Sequence, residues 1–147
     1  MKLLAVVLLS LALAGSGPAQ QFNENLAHGG LPWQVHYGPA TASQATITQA
    51  AVVGHRHVAT CIAFAGASVS APSLTFMSVY LRDGASGSGA ILMQFPITIS
   101  ASAGQNVAPF AICGLTVVGT AGNAMTLEFS AGLTNLAQAV NLSGFDL

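Results

Sequence analysis

The chain has 147 residues, enough for one domain with a real core, and 52% of them are hydrophobic while only 5% are charged. Ordinary globular chains are about 25% charged, so binding of nucleic acid through a basic patch, which needs several Lys or Arg against phosphate, is excluded as a main function. A surface this poor in charge is weak at keeping molecules apart in solution and suits a protein packed against copies of itself.

Residues 1–19 read as a signal peptide. Lys2 supplies a positive start, residues 3–14 form an apolar run, and Ala14 and Ala19 each end a small-residue cleavage pattern. A membrane span needs about 20 apolar residues, and no later segment is uninterrupted over that length. The expectation is export with no integral membrane insertion after signal cleavage, to a secreted, periplasmic or cell-surface place. Loss of Lys2 leaves Arg56 and Arg82 against Glu24, Asp83, Glu128 and Asp146, a formal charge of −2. Residues 20–43 are polar, aromatic and rich in Gly and Pro, and predict an arm lying over the domain, anchored by Trp33 and Tyr37.

From residue 44 onward the pattern predicts strand after strand. Residues 44–53 place Ala45, Ile47 and Gln49 on one face. Residues 56–65 alternate Val58, Thr60, Ile62 and Phe64 against Ala59, Cys61 and Ala63. Residues 73–82 are apolar on both faces, with Phe76 and Tyr80 opposing Met77, Val79 and Leu81. Such a strand either runs centrally or meets another subunit, so Phe76 and Tyr80, or Met77 and Leu81, are candidates for a self-association surface. Residues 90–99 contain Pro96, which belongs at an edge or a bulge because proline has no N–H for a ladder. Residues 105–113 follow. Residues 124–131 then put Met125, Leu127 and Phe129 on one face and Thr126, Glu128 and Ser130 on the other, as a half-buried antiparallel strand does. Residues 136–145 complete the set. Period-two alternation with Gly and Ser punctuation favours strands over helices throughout. The fold class expected is all-β: an antiparallel β-sandwich of about seven or eight strands over residues 44–147, of jelly-roll or Greek-key type, with a closed β-barrel as the alternative.

The polar motifs are few. Gly54-His55-Arg56-His57 places two histidines two residues apart, on one side of a strand. Such a pair supplies two metal ligands in jelly-roll enzymes of the cupin family. Here no carboxylate lies between residues 58 and 65 and no histidine follows His57, so no metal or cofactor is expected, and His55 to His57 read as the solvated start of a strand. Asp83-Gly84 begins a Gly/Ser tract that reads as a hairpin loop. The tract has no Lys for a phosphate loop, no serine sits in a nucleophile frame, and the acids are scattered. No catalytic residues are assigned, and the reading is non-enzymatic. Asn141-Leu142-Ser143 fits the N-glycosylation tripeptide. Cys61 and Cys113 are the candidates for a disulfide in an exported protein, two buried free thiols being the alternative.

Taken together, Arg56-His57 at a strand start, Arg82-Asp83-Gly84 at a strand end and residues 124–130 (AMTLEFS) after a Gly-rich turn resemble small all-β proteins encoded among bacteriophage and prophage structural genes and in environmental sequences. The resemblance spans about residues 40–147. It implies a β-sandwich used in particle or surface assembly, with a virion as one setting. The expected function is therefore a structural or assembly unit that forms a homo-oligomer. The alternative is a secreted jelly roll that recognises a glycan or small ligand through Trp33, Tyr37 and Tyr80.

Overall fold

The computed structural model describes residues 30–40, 43–68, 76–99 and 106–147. The expected signal peptide, with His28 and the first part of the expected arm, lies outside the described residues. Eight strands run in chain order: β1 (Leu31–Ala40), β2 (Thr46–Gln49), β3 (His57–Ser68), β4 (Phe76–Asp83), β5 (Ala90–Thr98), β6 (Asn106–Val118), β7 (Met125–Phe129) and β8 (Leu136–Asp146). They form two four-stranded antiparallel sheets, ordered β1-β8-β3-β6 and β2-β7-β4-β5. Neither sheet closes on itself, so the molecule is a sandwich and the barrel alternative falls away.

The pairing has a simple rule. β1 pairs with β8, β2 with β7, β3 with β6 and β4 with β5. The chain is thus one long antiparallel hairpin with its tip at the β4–β5 loop, rolled up so that its rungs fall alternately in two layers. Two more ladders, β3 with β8 and β4 with β7, close each layer. That is a jelly roll. Period-two patterning drives the rolling, because each strand has an apolar face that only the opposite sheet can cover.

The core lies between the layers. Ile62 and Phe64 from β3 and Val140 and Leu142 from β8 meet Val79 and Leu81 from β4 and Leu127 and Phe129 from β7, all buried. Phe64 lies edge-on to Phe129 at 6.2 Å between ring centres and stacks with Phe110 of β6 at 4.9 Å.

Three differences from the sequence reading have physical causes. The expected arm contains β1, which adds to β8, so the sandwich begins at Leu31 and not at residue 44. Its inward face is Trp33, Val35 and Tyr37, an alternation that its prolines and glycines mask. Second, the alternation in β3 breaks at Thr60, where the register shifts against both neighbours. Ala59 consequently faces the core, and Thr60 leaves the face that holds Ile62 and Phe64. Third, β7 is buried at every position. Its polar side is covered too, by chain from the β4–β5 loop.

β4 runs between β7 and β5. Of the four residues considered for self-association, Met77 and Leu81 are in the core, Tyr80 is half-buried, and Phe76 is 58% exposed. Pro96 sits on β5, an edge strand, as its missing N–H requires. Loops 50–56, 84–89 and 119–124 meet at one end of the sandwich, where the N–H of Gly122 donates to the His55 carbonyl at 2.8 Å and that of Gly84 to the Ala124 carbonyl at 2.7 Å. Among the described residues no helix is long and apolar enough to cross a membrane.

Candidate functional site

The polar residues that sequence patterning singles out converge at this loop-bearing end, where they form three hydrogen-bonded clusters. The first joins the first, third and last strands. The indole N–H of Trp33 donates to Asp146 Oδ1 at 2.7 Å, and His57 Nδ1 lies 2.6 Å from the same oxygen. His57 Nε2 lies 2.9 Å from the Ala50 carbonyl oxygen, an acceptor only, so this nitrogen carries a proton. The Trp33 ring meets His57 edge-on, 5.7 Å between centres, and lies over Gly144. A Cβ at Gly144 would overlap the Val58 carbonyl oxygen and come within 2.7 Å of the indole, which explains a glycine inside an otherwise regular strand.

His57 is therefore not part of a solvated strand start. It is buried, with both ring nitrogens occupied. His55 lies in the preceding loop, half-buried, and the strand begins only at His57. Among the described residues no three His, Cys, Asp or Glu side chains gather as a metal-binding group. His36 is exposed on β1, opposite Asn141.

The second cluster fastens the tip of the hairpin. Arg82 Nε donates to Glu128 Oε1 at 2.5 Å and its Nη1 to the Gly89 carbonyl at 2.9 Å. The Ser86 hydroxyl donates to Glu128 Oε2, and the Gly87 N–H reaches Oε1 at 3.2 Å. The guanidinium also sits 4.7 Å above the centre of the Tyr80 ring. Glu128, on the face expected to meet solvent, is 1% exposed as a result. Arg82 pairs across the sheet with Glu128 and not with its neighbour Asp83.

Asp83 makes the third cluster. Its carboxylate accepts the Thr120 N–H at 3.0 Å and the Thr120 hydroxyl at 2.5 Å, tying the end of β4 to the β6–β7 loop. Partial burial pushes its pKa up. The opposing contributions prevail: the Thr120 hydroxyl and N–H, the Asn123 side chain and the charge of His57 together hold it below its ordinary 3.8.

These clusters consume the ionic groups. Arg82 and Asp83 are half-buried and Glu128 and Asp146 are buried, so among the described residues Arg56 is the one exposed charged side chain. Polar groups elsewhere are likewise turned inward: Gln138, buried on β8, accepts from the Ala45 N–H at 2.9 Å and donates to the Ala131 carbonyl at 2.7 Å. Cys61 and Cys113 stand directly opposite one another on β3 and β6 and form a disulfide on the outer side of their sheet. Of the aromatic residues considered for ligand stacking, Trp33 and Tyr37 pack against the core and Tyr80 lies beneath Arg82. Asn141 lies on the central strand β8, its carboxamide oxygen accepting from Gln34 at 3.3 Å.

No protein-family model matches this chain, and no curated protein matches it. Among solved structures it is similar to a chain of Bacillus endospore appendages, described as a novel family of disulfide-linked pili, at 15% identity and a TM-score of 0.27, over 79% of this chain and 89% of that one. It is also similar to a chain of the infectious bursal disease virus Gx strain, at 16% identity and a TM-score of 0.27, over 80% of this chain and 29% of that one. A chain of the Gt strain of that virus gives 12% identity and a TM-score of 0.24, over 79% and 41%. Likenesses this weak carry no argument about what the chain does.

Replacing Asp146 by alanine leaves a buried imidazole without its hydrogen-bond partner and an indole N–H without its acceptor. Losing one partner of a buried pair costs about 3–5 kcal/mol, and urea unfolding should show that loss for Asp146→Ala and a smaller one for Asp146→Asn, whose amide oxygen still accepts from Trp33. A stability equal to that of the unaltered protein would show that the cluster does not hold β1, β3 and β8 together.

Asp83 has a folded-state pKa below its unfolded value, so its contribution to stability is complete above about pH 3.8 and is lost as the pH falls through the folded value. Asp83→Asn should remove that part of the acid dependence, so that variant and unaltered protein differ less in stability at pH 2 than at pH 6. Parallel stability curves over that range would contradict the assignment.

Proposed function

We propose that this chain is a non-enzymatic structural unit, exported and assembled with copies of itself at a cell surface or in a particle such as a virion. The observation that carries this reading is the fate of the charged residues. A freely soluble domain keeps ionic groups on its surface, where they hold neighbours apart. Here they serve as internal fasteners, and among the described residues Arg56 alone is exposed.

The chemistry of the three clusters supports the same reading. Each polar group in them is engaged in holding a loop or a strand end, with Glu128 accepting three hydrogen bonds and one oxygen of Asp146 meeting both Trp33 and His57. They brace the molecule, and their polar groups are taken up in doing so. The Cys61–Cys113 disulfide supports an oxidising destination, since such bonds persist outside the cytosol. The resemblance of the sequence motifs at Arg56-His57, Arg82-Asp83-Gly84 and residues 124–130 to small all-β proteins encoded among phage and prophage structural genes supports the same reading. Export itself rests on the N-terminal pattern of Lys2 followed by an apolar run.

Light scattering on the purified mature protein over a dilution series tests the proposal. The expected result is a mass above that of one chain at high micromolar concentration, falling on dilution. A monomer over the whole series would refute assembly.

A further inference from the structure

We infer that the outer face of the β1-β8-β3-β6 sheet is the surface through which two copies pack, face against face across a two-fold axis. This inference rests on the assembly reading and assigns it a place on the molecule.

The edges of the sandwich are poor candidates. An open edge invites pairing unless proline, a bulge or brevity blunts it. β1 carries Pro32 and Pro39, and its register shifts after Tyr37. β2 has only 4 residues. β5 has Pro96 and a register shift beside Met93, and β6 has Pro109 and a wide irregularity between Cys113 and Val117, where Gly114 takes a φ of 77°. All four edges are guarded.

The outer face of the β2-β7-β4-β5 sheet is also unsuited. The β4–β5 loop folds back over it to reach Glu128, and Arg82 lies across Tyr80. The surface is uneven, and its polar groups are already engaged by the loop.

The remaining face differs in kind. Alternation along β8, and along β3 beyond the bulge at Thr60, turns Ile62, Phe64, Val140 and Leu142 inward and leaves Ala63, Ala65, Ala137 and Ala139 outward. Register places these residues side by side: Ala65 opposes Ala139, Ala67 opposes Ala137, and Ala63 opposes Ala111 of β6. The Cys61–Cys113 disulfide lies in the same surface and fixes β6 to β3. The polar members of the face include Gln34, His36, Asn141 and Ser143, side by side on β1 and β8, and Gln34 and Asn141 bond to each other. No Lys, Arg, Asp or Glu occurs in the described outward positions of these strands.

Such a face fits its own copy. A two-fold contact sets each residue against the same patch, so any charge there would confront its like; a neutral face does not. Alanine side chains have no rotamer freedom to lose, which lowers the ordering cost of association. Four strands about 4.8 Å apart and about six residues long give roughly 400 Å² per copy. The pair would bury about 800 Å², below the ~1,200 Å² at the lower end of stable complexes. The contact is therefore reversible.

The test uses the full mature chain in sedimentation velocity, with Ala65→Lys/Ala139→Lys, Ala65→Glu/Ala139→Glu and a control, Gln94→Lys, on the other sheet. Each Ala variant alone should sediment as a folded monomer, its association weakened by about tenfold or more. Mixing the Lys and Glu variants should restore the pair, and the control should behave as the unaltered protein. Retained association in both Ala variants, or loss in the control to the same degree, overturns the inference while leaving self-assembly itself standing. An unaltered protein that never associates overturns both. Should the double variants unfold by circular dichroism, methyl NMR of the unaltered protein decides. Shifts that grow with concentration at Ala63, Ala65, Ala137 and Ala139 support the face, and their absence with shifts elsewhere overturns it.

Discussion

A single carboxylate oxygen, Oδ1 of Asp146, receives the Trp33 indole and lies against the His57 imidazole, and the rest of the fold depends on what that junction joins. β1 has β8 as its one partner strand and β3 lies on the other side of β8. One shared acceptor at the end of β8 therefore holds the outermost rung of the rolled hairpin to the middle of its sheet. The contact spans 113 positions from Trp33 to Asp146, so the ordering of that much chain has to be offset by the burial of the core between the sheets. Gly144 is part of the same solution, since the indole can reach Asp146 only by passing over a residue without a side chain.

The same economy recurs at the other two clusters, and it links internal architecture to surface character. Arg82 and Glu128 hold the hairpin tip against β7, and Asp83 holds the β6–β7 loop. Each is a strong, directed interaction at a place where a loop would otherwise be free. Burying ionic groups is costly unless they are paired and hydrogen-bonded, and here the pairing is dense. The consequence, among the described residues, is that every charged side chain except Arg56 fastens a loop or a strand end. Stability and a surface poor in charge then have one origin among the described residues.

Much of the fold is legible in the sequence, and the parts that are not have local reasons. The seven strands from Ile47 to Leu142 show themselves because apolar residues alternate and Gly or Ser marks the turns. β1 also alternates, through Trp33, Val35 and Tyr37, but its prolines and glycines resemble those of a loop, and only pairing with β8 makes it a strand. The bulge at Thr60 reverses which of Val58 and Ala59 faces inward, and no propensity marks it. Glu128 and His57 look solvent-facing by period and position. Their burial comes from Ser86, Gly87 and Asp146, residues distant in the chain whose approach only tertiary structure reveals. The disulfide is open in the sequence for the same reason, and the β3–β6 register decides it by setting Cys61 opposite Cys113.

If association is driven by neutral surface, it should not depend on ionic attraction. Sedimentation of the mature protein at one fixed, high micromolar concentration, from about 0.02 to 1 M NaCl, tests this most directly, because the Debye length shrinks from about 20 Å to about 3 Å over that range. The account predicts an oligomer whose mass holds or rises with salt. An oligomer that falls apart as salt is raised would mean that charges make the contact, and the account would be contradicted.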